Sequence, residues 1–187
     1  TGKESSAASD VYKRQVYIAE QVSHHPPISA YYYVSPENNI LIYGDLRPKS
    51  RFLGNTAANI MGGTSRIVLL SRPEDGEYSI SMPNMYARGI LFGKMVLELG
   101  DHSEMVNKNL QMSTDVEFKV KGYFTGSYNM IEGKIMRNGR QVGNMYGKWS
   151  GKMEYKDSHT GHTRLLFDAH NAQAAVSYTH LRAHETS

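Results

Sequence analysis

The 187 residues, 40% hydrophobic and 21% charged, suffice for one core-bearing domain and not for two of ordinary size. No apolar run reaches the length of a membrane span, mean hydropathy is −0.51, and the N-terminus lacks the charged-then-apolar build of a signal peptide, so a cytoplasmic chain is expected. With no cysteine, disulfides, thiol nucleophiles and cysteine-bearing zinc sites are excluded, while a formal charge of +3 suits an anionic membrane without arguing for nucleic acid.

The two ends resemble sequencing adapters. Residues 5–15, SSAASDVYKRQ, and 176–186, VSYTHLRAHET, read like in-frame translations of the adapters joined to short-read library fragments. If residues 10–15 are encoded GAT GTG TAT AAG AGA CAG, the reverse complement read two bases in encodes residues 176–180, the inverted repeat that adapters on both sides of a fragment produce. Residues 1–15 and 176–187 are therefore expected to be artefactual and disordered, with 16–175 as the natural part of a truncated gene product.

Between those ends the dominant hydrophobic period is two, which predicts strands. In chain order they fall at 28–34, 40–46, 66–70, 77–82, 94–99, 116–120, 129–136, 141–149 and 163–167. Tyr78, Ile80 and Met82 interleave with Glu77, Ser79 and Ser81, and Val116, Phe118 and Val120 with Glu117, Lys119 and Lys121, as half-buried antiparallel strands with one wet face do. Only 55–61 reads as a short helix, stopped by Gly62-Gly63. Asn138-Gly139 has the composition of a two-residue type I′ hairpin turn, whose central residues both need positive φ. The class is all-β and antiparallel. A sheet curled around a cavity and a sandwich with a filled core use the same Tyr, Met and Ile residues, and periodicity leaves both open.

The most unusual string is EQVSHHPP: Glu20, Gln21, Val22, Ser23, His24, His25, Pro26 and Pro27. Consecutive strand side chains point to opposite faces, so His24 and His25 converge on one ligand only if the backbone leaves strand geometry there. Two following prolines impose that departure, because each fixes φ, removes a donor and restricts the residue before it. A turned edge presenting two imidazoles offers N–H donors to a phosphate monoester. A surface turn with solvated histidines is the plain alternative.

This octamer resembles the signature of the oxysterol-binding-protein-related family of lipid-transfer proteins, and the likeness continues through ARGILFGKMVLELG at 87–100, EFKVKGYFTGSYNMIEGKI at 117–135, GKWSG at 147–151 and LLFDA at 165–169. It covers essentially all of 17–171. The resemblance implies part of a large antiparallel β-barrel around an apolar tunnel, few short helices, no cofactor and no catalysis. It implies one lipid bound at a time, a sterol or other membrane lipid exchanged for phosphatidylinositol 4-phosphate, by a cytoplasmic protein peripheral at membranes or membrane contact sites. By position, His24 and His25 would contact the inositol phosphate, with Glu20, Gln21, Val22, Ser23, Pro26 and Pro27 as scaffold. The family's lid, its early basic headgroup ligand and its late Lys/Glu/Arg cluster would lie outside 16–173. An open barrel with unpaired edges and weak phosphoinositide binding is then expected of the fragment.

Rival chemistry rests on the other histidines and acids, as a hydrolytic or metal-dependent enzyme. His159 and His162 form an H-x-x-H, but Thr160 and Gly161 indicate a turn without a helical glutamate. Glu98, Asp101, His102 and Glu104 follow a predicted strand end and read as a solvated acidic loop that imitates an acid–base group. Ser23 beside His24 lacks an orienting carboxylate. Lys119, Lys121, Tyr123 and Phe124 mix charge and aromatics as a single-stranded nucleic-acid face does, yet the family resemblance favours a solvent or membrane-facing role and no nucleic-acid partner.

Overall fold

A computed structural model describes residues 15–122 and 126–171. The expected disorder of the two ends, and Tyr123 and Phe124, lie outside the described residues. Among the described residues, thirteen strands follow in chain order: β1 (Val16–Ser23), β2 (Ile28–Ser35), β3 (Ile40–Phe52), β4 (Thr56–Gly62), β5 (Ser65–Leu69), β6 (Glu77–Ile80), β7 (Asn84–Arg88), β8 (Val96–Asn107), β9 (Met112–Lys119), β10 (Met130–Arg137), β11 (Arg140–Lys148), β12 (Lys152–Asp157) and β13 (Thr163–Asp168). Two single 3-10 turns, Pro73–Asp75 and Ala169–Asn171, are the helical content of the same residues.

All thirteen strands belong to one antiparallel meander. β3 and β8 are long enough to serve two partners along one edge. Residues 47–52 of β3 pair with β4 and 40–44 with β5, while 96–100 of β8 pair with β7 and 105–106 with β6. β4 with β5, and β6 with β7, are therefore two broken passes of the meander. The break between β4 and β5 needs Gly63: its φ is 103°, and a Cβ there would fall on the Asp45 carbonyl.

Because each pass reverses, the connections sort to two ends. Segments 24–27, 53–55, 89–95, 120–122, 126–129, 149–151 and 169–171 lie at one end, and 36–39, 70–76, 108–111, 138–139 and 158–162 at the other. The second end is anchored by Asp75, 2% exposed, whose carboxylate accepts from Arg72 and from the Tyr78 hydroxyl at 2.7 Å while its carbonyl accepts from Asn107. That carboxylate raises the Tyr78 pKa by taking its hydroxyl proton in a hydrogen bond.

Ala58 and Ile131 are the buried apolar side chains among the described residues. One sheet has no second layer to enclose a core, so a filled sandwich is set aside in favour of an incomplete barrel. β1 and β13 are its edges and do not pair with each other.

The helix expected at 55–61 is strand β4 instead. Ala57 pairs with Phe52 on one side and Ala87 on the other, and this double ladder overrides the helix preference of Ala and Met. The strand expected at 94–99 runs on to Asn107. Asp101, past the expected strand end, takes φ 65° within the strand, and its carboxylate is held by Asn84 and Tyr86 from β7. Glu98, Asp101, His102 and Glu104 are thus strand residues and not a loop.

Candidate functional site

The two imidazoles sit on the turn between β1 and β2. A bulge between Gln21 and Ser23 leaves Val22 outside the ladder, Ser23 pairs with Ile28, and residues 24–27 close the hairpin with a cis His25–Pro26 peptide. The rings of His24 and His25 consequently lie together, with centroids 4.7 Å apart and planes at 67°. Gln21 Nε2 donates to the Ser23 carbonyl at 3.3 Å and lies 3.4 Å from His24 Nδ1. Glu20, Gln21, Val22, Pro26 and Pro27 are exposed and Ser23 is half-buried, so the octamer is an accessible edge and not a buried pocket.

The strand register supplies cations next to this turn. Ser29 pairs with Leu46, and β3 continues past the hairpin as Arg47, Pro48, Lys49, Ser50, Arg51. Alternation puts Arg47, Lys49 and Arg51 on one face, all exposed. Asp45 pairs with Arg47 at 2.5 Å and leaves the other two cations to the face. The alternating R-P-K-S-R pattern carried this signal in the sequence, hidden because the strand was expected to end at Leu46.

The rival clusters are spoken for by structural partners. His102 Nδ1 lies 2.8 Å from Asp115 on β9. That hydrogen bond raises the His102 pKa above 6.5, while Tyr86 and Asn84 lower that of Asp101. Buried Glu98 accepts from the Lys121 backbone at 2.9 Å and meets Arg88 at 3.1 Å. His159 and His162 lie in and beside a turn built on Asp157, whose carboxylate accepts from the backbones of His159 and Thr160 and is lowered in pKa by them. Among the described residues no three His, Asp or Glu converge to hold a metal ion, and no helix is long and apolar enough to cross a membrane.

Comparison with known proteins agrees with this architecture. The family described as oxysterol-binding protein matches residues 5–185. The chain is 52% identical over 155 residues to the oxysterol-binding protein homolog C23B6.01c of Schizosaccharomyces pombe, covering 82% of this chain and 32% of that protein. It is 44% identical over 180 residues to oxysterol-binding protein homolog 7 of Saccharomyces cerevisiae, covering 90% and 40%. The chain thus spans roughly a third of the length of these curated relatives. The Osh1 ORD domain in complex with ergosterol superposes with a TM-score of 0.70 at 23% identity, over 83% of this chain and 41% of that one. The Saccharomyces cerevisiae Osh3 ORD in complex with PI(4)P gives 0.63 at 19%, over 80% and 39%. Likeness this distant speaks to the fold, whereas the sequence match over most of the chain speaks to descent: the chain belongs to the oxysterol-binding protein family.

Proposed function

We propose that residues 16–175 are part of a lipid-transfer domain that exchanges a sterol or other membrane lipid for phosphatidylinositol 4-phosphate between membranes, with His24 and His25 as headgroup ligands. The pair of converging imidazoles on an exposed turn at the end of an incomplete barrel carries the reading. Family relatives solved with ergosterol and with PI(4)P support both cargo classes. Phosphate oxygens take N–H donors from the two rings, and Gln21 restrains one ring from the strand side. Pro26 and Pro27 fix φ and stop the turn from continuing as a strand, which keeps the two rings on the bent edge. The protein works without a cofactor and performs no bond chemistry: its task is to shield a lipid and to release it.

In the complete protein, His24→Ala with His25→Ala should cut phosphatidylinositol 4-phosphate extraction from liposomes by about tenfold or more, two hydrogen bonds to a charged group being worth that much. Sterol extraction should stay near the parental level, because the apolar walls are unchanged. Equal phosphoinositide extraction by parent and double variant would remove the histidines from the headgroup site.

A further inference from the structure

The two ends of the sheet differ in kind. At the end holding His24 and His25, the described connecting residues include Lys94 and Lys121 and no acidic residue. At the opposite end they carry Glu37, Glu74 and Asp75 beside Arg72 and Lys108, with Leu70 as their one exposed large apolar side chain. Two neighbouring tips at the histidine end display most of the contrast. Phe52 and Leu53 at the β3–β4 turn are 80% and 60% exposed, and Leu91 and Phe92 in the β7–β8 connection are 67% and 78% exposed.

These tips are one built unit. Asn55 Oδ1 accepts from the Leu91 and Phe92 backbones at 2.8 and 3.0 Å, and its Nδ2 donates to the Phe92 carbonyl at 2.8 Å. The Asn55 carbonyl accepts from Gly89 and Ile90, and Leu53 N donates to Thr56. The backbone N–H groups of Leu53, Gly89, Ile90, Leu91 and Phe92 are thereby satisfied inside the unit while four large apolar side chains stay exposed, which suits a segment entering the bilayer interface. Exposed Lys49, Arg51 and Lys94 flank the tips, supplying the charge that gathers anionic headgroups. In register the tips stand beyond the histidine turn, since the β2–β3 ladder ends with Ser29 opposite Leu46 and Phe52 is six residues further along β3.

We propose that Phe52, Leu53, Leu91 and Phe92 form a paired-loop anchor that enters an anionic bilayer and sets the histidine end of the sheet against it, the flanking lysines and arginine reading lipid charge. This rests on and deepens the lipid-transfer reading by assigning the membrane-docking surface, and its four apolar side chains are ones that reading does not use.

The test uses the complete protein and vesicles of phosphatidylcholine, alone or with about a third phosphatidylserine. Changing the four tip side chains to serine should lower partition onto the mixed vesicles by at least about tenfold. Lys49→Glu, Arg51→Glu and Lys94→Glu together should abolish the preference for phosphatidylserine, which in the parent falls as salt is raised. Phe92→Trp keeps the tip apolar, and the fluorescence it adds should be quenched by brominated lipids. Unchanged partition of the serine variant overturns the anchor, as does an added indole that stays unquenched in the Phe92→Trp protein because the rest of the chain covers the tips. Water-soluble, short-chain phosphatidylinositol 4-phosphate separates the two readings. The serine variant should bind it as the parent does and the His24→Ala/His25→Ala variant weakly, whereas a parent that docks on vesicles yet ignores this ligand refutes the headgroup site and leaves the anchor standing.

Discussion

His102 illustrates how a surface histidine is used when it is not a ligand. It lies diagonally across the β8–β9 ladder from Asp115, with Glu117 directly opposite and Asp101 and Glu104 on its own strand. The hydrogen bond that His102 donates to Asp115 is the largest cause of its raised pKa, opposed by desolvation and aided by the charges of Asp115, Glu117 and Asp101. A raised folded value means that the pairing stabilises fully below the unfolded pKa of about 6.5 and is lost as pH rises through the folded one. Both side chains are 57% exposed, so solvent screening limits the effect to at most about 1 kcal/mol. Asp115→Asn should bring the His102 titration, followed by NMR, down toward about 6.5 and remove this part of the pH dependence. An unmoved titration in that variant would mean that the pair does not form in solution. Asp101 has the opposite sign: hydrogen bonds from Tyr86 and Asn84 lower its pKa, so its contribution disappears as pH falls through the folded value.

Among the elements, the β10–β11 hairpin shows local chemistry and global pairing in agreement. Arg137 pairs with Arg140, and Asn138 and Gly139 take φ of 50° and 72°, the two positive values of a type I′ turn. A Cβ on Gly139 would meet nothing within 4 Å, so substitution there is penalised by backbone conformation and not by crowding. Gly139→Val should cost about 1–2 kcal/mol, read as a lower urea midpoint with unchanged slope. A midpoint equal to the parent would contradict the turn. Hairpins of this kind were legible because turn residues and alternation coincide. β1, β4, β7 and β12 were not. TAANIMG carries helix formers and NMYAR is five residues long, so each becomes a strand only through neighbours distant in sequence, as when Ala57 meets both Phe52 and Ala87. The site divides in the same way. Proline chemistry announced the bent His24–His25 edge, but the cations beside it depend on β3 running six residues past Leu46, which the pairing with β4 decides.

At the scale of the molecule, two groups of exposed apolar side chains have different consequences. Those on the paired tips are displayed by turns that Asn55 ties together, and they suit a bilayer. Those on the edge strands, Tyr17 and Ile18 on β1 and Leu165, Leu166 and Phe167 on β13, lie beside open strand edges. An edge of this composition templates further pairing, and fully burying one such side chain is worth about 1.5–3 kcal/mol, so several together drive association. Residues 16–175 produced alone should therefore bind a hydrophobic dye and sediment as concentration-dependent oligomers. The complete protein, whose family relatives are roughly three times as long, should remain monomeric at the same concentration. Leu165→Lys with Phe167→Lys charges alternate positions of β13 and should shift the 16–175 segment back toward monomer while leaving its strand content by circular dichroism in place. A segment that is monomeric and dye-silent without those changes would show that the open edges are protected within residues 16–175 themselves.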